Sequence, residues 1–182
     1  ETSQNRTTNT RNTENTGNGG ESSKYSENVF PGNIRFIGPL TEGDYHLIFG
    51  EGIGPKKKGV RGGHNKESFY KALEASGCCI DDLLIGSAIE HPFVKGIYSQ
   101  HYRVPAYDGK GNFIGYKDIP DPKTYFDPEM ISNEQMIQWA KEAMTNGTIN
   151  GRYINGEASN GLKFQGSIQE NGQLRYYPYF EE

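Results

Sequence analysis

Four of the 182 residues are histidines: His46, His64, His91 and His101. Imidazole exchanges a proton near neutral pH, so two held together can act as a base and an acid. Only His46, in GDYHLIFGEG, and His64, in VRGGHNKESFYKAL, sit among glycines. Glycine permits φ > 0 and a close approach of another molecule to the main chain. The helix that follows His64 would offer unpaired N–H groups to an anion. Gly62-Gly63-His64 therefore reads either as a phosphate seat beside a proton carrier or as a loop ahead of a helix capped by Asn65. His46 lies in a short apolar run bounded by glycines, at the start of a strand or a helix. His91, before Pro92, and His101, inside a strand-like run, read as surface or sheet residues.

Two segments have the pattern of helices that would position these groups. Asn65 to Ser76 places Phe69, Tyr70 and Leu73 at helical spacing and stops at Gly77. Ser132 to Thr145 opens with Ser132 and Gln135 in capping-box register and carries Met136, Trp139, Ala140, Ala143 and Met144 on one stripe, which reads as core. The remainder reads as strands. GIYSQHYRVPAY and NFIGYKDI flank Asp108-Gly109-Lys110-Gly111, a hairpin signal. GRYINGEA, GLKFQGSI and QLRYYPYF form a candidate antiparallel meander. The order favours an α+β domain with N-terminal helices packed on a C-terminal antiparallel sheet.

Residues 1–28 contain no Leu, Ile, Val, Met, Phe or Trp. Such a stretch cannot offset its ordering entropy by apolar burial, so a disordered linker is expected there and a folded domain over 29–182. The chain opens on Glu1, which suggests a piece cut from a longer protein. No apolar run approaches the length of a membrane span. The formal net charge of −4 argues against broad duplex affinity but leaves room for a local site, and Lys56, Lys57, Lys58 and Arg61 form one basic cluster just before Gly62. Cys78 and Cys79, the only cysteines, are adjacent, which disfavours a disulfide between them and rules out zinc-type cysteine spacing. His46 and His64 have no third ligand at regular spacing, which weakens a metallohydrolase reading without removing it; no metal or other cofactor is expected.

Four stretches in order carry a family resemblance: His46-Leu47 with Gly50, Gly62-Gly63-His64, Lys123-Thr124-Tyr125-Phe126, and Arg175-Tyr176-Tyr177-Pro178. Together they resemble the bacterial EndoU-type ribonucleases found at the C-termini of contact-dependent and Maf-type polymorphic toxins. There the first two supply the paired histidines, the third a cationic residue ahead of a capped helix, and the last a closing Ser/Thr-x-Tyr-Pro. Arg175 stands where the family carries a hydroxyl residue, and about sixty residues separate His64 from Lys123.

The resemblance implies an EndoU-like fold and an endoribonuclease in which the ribose 2′-OH attacks the adjacent phosphate to leave a 2′,3′-cyclic phosphate, without a metal. His46 and His64 would be base and acid, with Lys123 or Arg175 stabilising the transition state. Gly62, Gly63 and Thr124 would bind substrate, and Tyr177 would stack on or orient the nucleotide. Read from its strand alone, Tyr177 shares a face with Tyr179 in a Tyr-rich sheet, and Arg175 is either a phosphate partner or a strand arginine facing solvent. The implied partners are an RNA substrate and a cognate immunity protein, with secretion as part of a larger protein and action in the cytoplasm of a competing bacterium. One alternative is a transfer-RNA-specific toxin that needs a host translation factor. Another, from a different class, is a non-catalytic binding or adhesion module.

Overall fold

The computed structural model describes residues 40–56 and 58–181. The expected linker over 1–28 and the expected domain start at residue 29 lie outside the described residues. Helix α1 (Glu42–Ile48) begins with a capping box: the Thr41 hydroxyl accepts from Asp44 N–H, and the Asp44 carboxylate accepts from Thr41 N–H. This helix also buries the Asp44 side chain, which is tolerable because the carboxylate accepts the Tyr176 hydroxyl and lies 3.6 Å from Lys141 Nζ. A two-residue ladder, β1 (Gly52–Ile53) with β2 (Val60–Arg61), turns the chain back toward α1. Helix α2 (Lys66–Glu74) follows, with Asn65 as its cap, and leads through the single turn α3 (Ile80–Leu83).

The first large sheet is built around the long strand β4 (Ile97–Tyr107). On one side it pairs with β3 (Leu84–Glu90). On the other, β6 (Lys123–Phe126) pairs with residues 97–100 and β5 (Phe113–Asp118) with residues 103–107. Helix α4 (Asn133–Thr145) comes next, its first N–H groups served by Ser132. The second sheet has the order β10-β9-β8-β7, made of β7 (Thr148–Asn150), β8 (Tyr153–Glu157), β9 (Lys163–Ile168) and β10 (Leu174–Tyr179), all antiparallel. The α+β class and the C-terminal meander match the sequence expectation. The helices are not all N-terminal, however, since α4 lies between the two sheets.

Two apolar cores result. One joins α1 and α4 to the second sheet through Leu47, Ile48, Met136, Ala140, Ala143 and Phe164. The other gathers Val60, Phe69, Leu73, Tyr102 and Tyr125. Strand β6 is buried along its whole length and serves both: alternation sends Phe126 into the first core and Tyr125 into the second. The stripe of α4 is core, as expected, and Gly156 lets it approach the sheet. A Cβ at Gly156 would lie 1.8 Å from the Ala143 carbonyl oxygen.

Candidate active site

His46 stands in the last turn of α1, which resolves its strand-or-helix ambiguity. The chain leaves α1 through Gly50 at φ +66, passes Glu51 and the β1–β2 ladder, and returns directly beneath His46. Two backbone bonds join the segments: Gly63 N–H donates to the His46 carbonyl at 2.8 Å, and His64 N–H to the Leu47 carbonyl at 2.7 Å. Gly62 has φ +59, and a Cβ there would lie 2.2 Å from His46 O and 2.9 Å from its Nδ1. The double glycine thus exists because the two histidine segments are packed backbone to backbone. The Gly63 N–H is spent on that packing, so its place at the site is to position His46 and His64. The start of α2 is occupied in a similar way: Asn65 is buried, its Oδ1 accepts from Glu67 N–H and its Nδ2 donates to Asn133. The helix mouth thus carries a side-chain cap on its Glu67 N–H.

Both imidazoles are held by Nδ1. His64 Nδ1 lies 2.6 Å from the Thr124 carbonyl oxygen, which can only accept, so the ring carries hydrogen on Nδ1. Its own carbonyl accepts from Phe126 N–H, so β6 grips the residue from both ends. His46 Nδ1 lies 3.0 Å from each oxygen of Glu51. In each ring Nε2 remains as the nitrogen available for proton transfer. Burial pushes the His64 pKa well below the ordinary histidine value, and the Lys123 charge adds to the shift. The His46 pKa is also lowered, again chiefly by burial, but the Glu51 carboxylate opposes that shift.

Lys123 is buried beneath Gly62, where Nζ donates to the Val60 carbonyl at 3.2 Å and to the Gly62 carbonyl. Burial brings its pKa down to about 7, with Glu51 pulling the other way. Thr124 contributes its carbonyl to His64, while its residue is buried. The Tyr177 ring runs parallel to that of His64, at 12° with centroids 6.0 Å apart. Arg175 shares the Tyr177 face of β10 and reaches Glu51 at 3.6 Å, but its Nε and Nη2 both donate to Glu42, at 3.0 and 2.7 Å. It is therefore neither a strand arginine facing solvent nor an open fork.

The structure thus brings His46, His64, Lys123, Tyr177 and Arg175 to one place, with Gly62, Gly63 and Thr124 as the backbone that joins them. The two remaining histidines lie elsewhere. His91 is buried, with Nδ1 accepting from Phe93 and Val94 N–H, so it is not a surface residue. His101 is an exposed residue of β4. Lys56, Lys58 and Arg61 are exposed on the loop and β2, and Lys57 is outside the described residues. Sequence reading missed Glu51 and Glu42. Glu51 was visible as a carboxylate shortly after His46 in HLIFGEG, whereas the link from Glu42 to Arg175 spans 133 positions and has no local sign. Among the described residues no three His, Cys, Asp or Glu side chains are grouped as a metal site, and no helix is long and apolar enough to cross a membrane.

Residues 40–179 match the family described as Bacterial EndoU nuclease. The chain is also 34% identical over 128 residues to a protein of Escherichia coli (strain STEC_O31) named tRNA nuclease CdiA, covering 68% of this chain and 4% of that protein. A Yersinia mollaretii protein with the same name is 31% identical over 103 residues, covering 56% of this chain and 3% of its own length. The chain thus spans only a small part of the curated relatives it matches. The family match encloses all four expected motifs and runs through both sheets, and by it the chain belongs to the bacterial EndoU nuclease family.

Proposed function

We propose that this domain is a metal-independent endoribonuclease toxin that cleaves RNA by internal attack of a ribose 2′-OH on the adjacent phosphate. The observation that carries the reading is the pair of imidazoles, each fixed through Nδ1 and each left with Nε2 for a proton. Their environments differ, and that difference supports one division of roles. His64, with the more depressed pKa, is neutral at physiological pH and takes the 2′-OH proton. His46, beside Glu51, is the imidazole whose charged form has a partner, and it returns a proton to the departing 5′-oxygen. As the 2′-oxygen bonds to phosphorus, the P–O5′ bond breaks and a 2′,3′-cyclic phosphate remains. Negative charge on the phosphorane-like transition state is offset by Lys123, whose ammonium a bound phosphate would favour. Arg175 adds positive potential from behind its carboxylate partners, and Tyr177 shapes the nucleotide site beside His64.

The names of the two relatives favour transfer RNA as the substrate. The small share of those proteins that the chain spans supports a domain carried on a larger protein, and the family resemblance implies secretion, action in the cytoplasm of a competing bacterium, and neutralisation in the producer by an immunity protein. The decisive experiment is RNA cleavage with EDTA present, with the product ends mapped. The expected outcome is 2′,3′-cyclic phosphate ends, and a loss of about 10²–10⁴-fold in each of His46→Ala and His64→Ala with the fold retained. An active His64→Ala protein would refute the mechanism.

A further inference from the structure

The proposed reaction uses the histidine pocket with Arg175 and Tyr177 but leaves the sheet face beyond Tyr177 without a task. On β10, Arg175, Tyr177 and Tyr179 face outward, and the register sets Tyr177 opposite Gln165 of β9, which stands opposite Asn155 of β8. Neighbouring strands are spaced about 4.8 Å apart, so these three side chains form a short row that starts at His64. They are joined in one direction. The Tyr177 hydroxyl donates to Gln165 Oε1 at 2.5 Å, and Gln165 Nε2 donates to Asn155 Oδ1 at 2.9 Å. The Gln165 amide is thereby kept from flipping. It retains one amide hydrogen and one oxygen lone pair, side by side, and Asn155 retains both Nδ2 hydrogens. Tyr177 and Asn155 are exposed and Gln165 partly so, which leaves the row accessible.

Two neighbours on this face are committed elsewhere. The guanidinium of Arg175 is engaged by Glu42 and Glu51, and the Ser167 hydroxyl accepts from Gln169. If His64 Nε2 takes the 2′-OH proton, the ribose bearing that hydroxyl lies against His64. The base on that ribose then projects along the Tyr177 ring toward its hydroxyl edge, where Gln165 sits. We infer that Gln165, backed by Asn155, is the specificity-determining residue that reads the base of the nucleotide whose 2′-hydroxyl attacks. The inference rests on the nuclease reading above. An amide pinned at its oxygen by Tyr177 and at its nitrogen by Asn155 offers a donor and an acceptor in a fixed order, so a base edge presenting the reverse order is favoured and the others leave a polar group unpaired.

The test uses the full chain and an RNA pool randomised around a single cleavable position, with the 5′-side nucleotide of each cut identified by sequencing. The wild type should favour some bases over others by about tenfold or more at that nucleotide. Gln165→Ala should flatten this to within about threefold, by lowering cleavage at the favoured bases toward that at the others. Gln165→Glu, which keeps the shape but replaces the amide donor with an acceptor, should reorder the preference, and Asn155→Ala should weaken it. Three outcomes overturn the inference alone: a wild type that cleaves without preference at this nucleotide, an unchanged preference in both Gln165 variants, or a uniform loss of cleavage in them, which would make Gln165 a support for Tyr177. A wild type that cuts no RNA overturns the nuclease reading as well, so the two failures are distinguishable.

Discussion

Glu51 is the residue through which the behaviour of His46 can be tested. Its carboxylate faces His46 Nδ1 with both oxygens at 3.0 Å and counters the burial that lowers the imidazole pKa. The general acid must be protonated, and it loses that proton as pH rises through its pKa. The general base must be neutral, and it becomes so as pH rises through a pKa lying lower still. The kcat/KM profile is therefore expected to be a bell with its optimum below the ordinary histidine value, its alkaline limb set by His46 and its acid limb by His64. Glu51→Gln removes the charge that raises the His46 pKa. The alkaline limb should move to lower pH, with cleavage at neutral pH falling about tenfold for each unit of that movement. A profile whose alkaline limb stays in place would assign that limb to another group, with Lys123 the first candidate because its pKa lies at about 7.

At the scale of elements, the site depends on how closely the end of α1 docks on the Gly62-Gly63-His64 segment. Two glycines at nearly the same dihedral separate the backbone cost from the packing cost. Gly62 has φ +59 and no room for a Cβ beside His46, while Gly151, in the β7–β8 turn, has φ +60 and nothing within 4 Å. Gly151→Ala should cost about 1 kcal/mol for the left-handed backbone alone and leave cleavage unchanged. Gly62→Ala adds the clash with His46 O and Nδ1. It should cost about 2 kcal/mol or more in urea unfolding, and it should reduce cleavage in the remaining folded protein by pushing the two histidines apart. Equal stability losses at the two positions would show that α1 can shift to admit the methyl group.

At the scale of the whole molecule, β6 ties the chemistry to stability. It joins the two cores and also supplies Lys123 and the Thr124 carbonyl. Burial depresses the Lys123 pKa from its usual 10.5 to about 7. Between those values the unfolded chain binds the proton more readily than the folded one. Stability should therefore rise with pH across the window from about 7 to about 10.5, because the unfolded state holds more protons there. In Lys123→Met this slope should be reduced, which urea unfolding at a series of pH values would show. Identical slopes in the two proteins would mean that the ammonium is better solvated than its burial implies. On the proposed reading this lysine would serve a phosphate in a chain of net charge −4, because the cation is local and global charge says little about it.

Local order was legible in the residues themselves. Asn65 and Ser132 marked the starts of α2 and α4, the Asp108-to-Gly111 turn announced the β4–β5 hairpin, and three alternating runs gave the C-terminal meander. Caps, turns and periodicity act over a few residues, so they can be read without knowing the fold. The Thr41–Asp44 box of α1 was equally local but lay in a short segment rich in glycine, and β3 hid behind a mostly exposed face. The four ordered motifs, through the family resemblance they carry, named His46, His64, Lys123, Arg175 and Tyr177, and the fold brings these five side chains to one place. What the motifs could not supply was who touches whom. The Thr124 carbonyl meets His64 across 60 positions, and Glu42 engages Arg175 across 133. The reasons for Gly62 lie in the backbone of another segment. Those pairings follow from strand register and from the docking of α1 on β10, which are decided when two cores close around β6, and no local pattern encodes them.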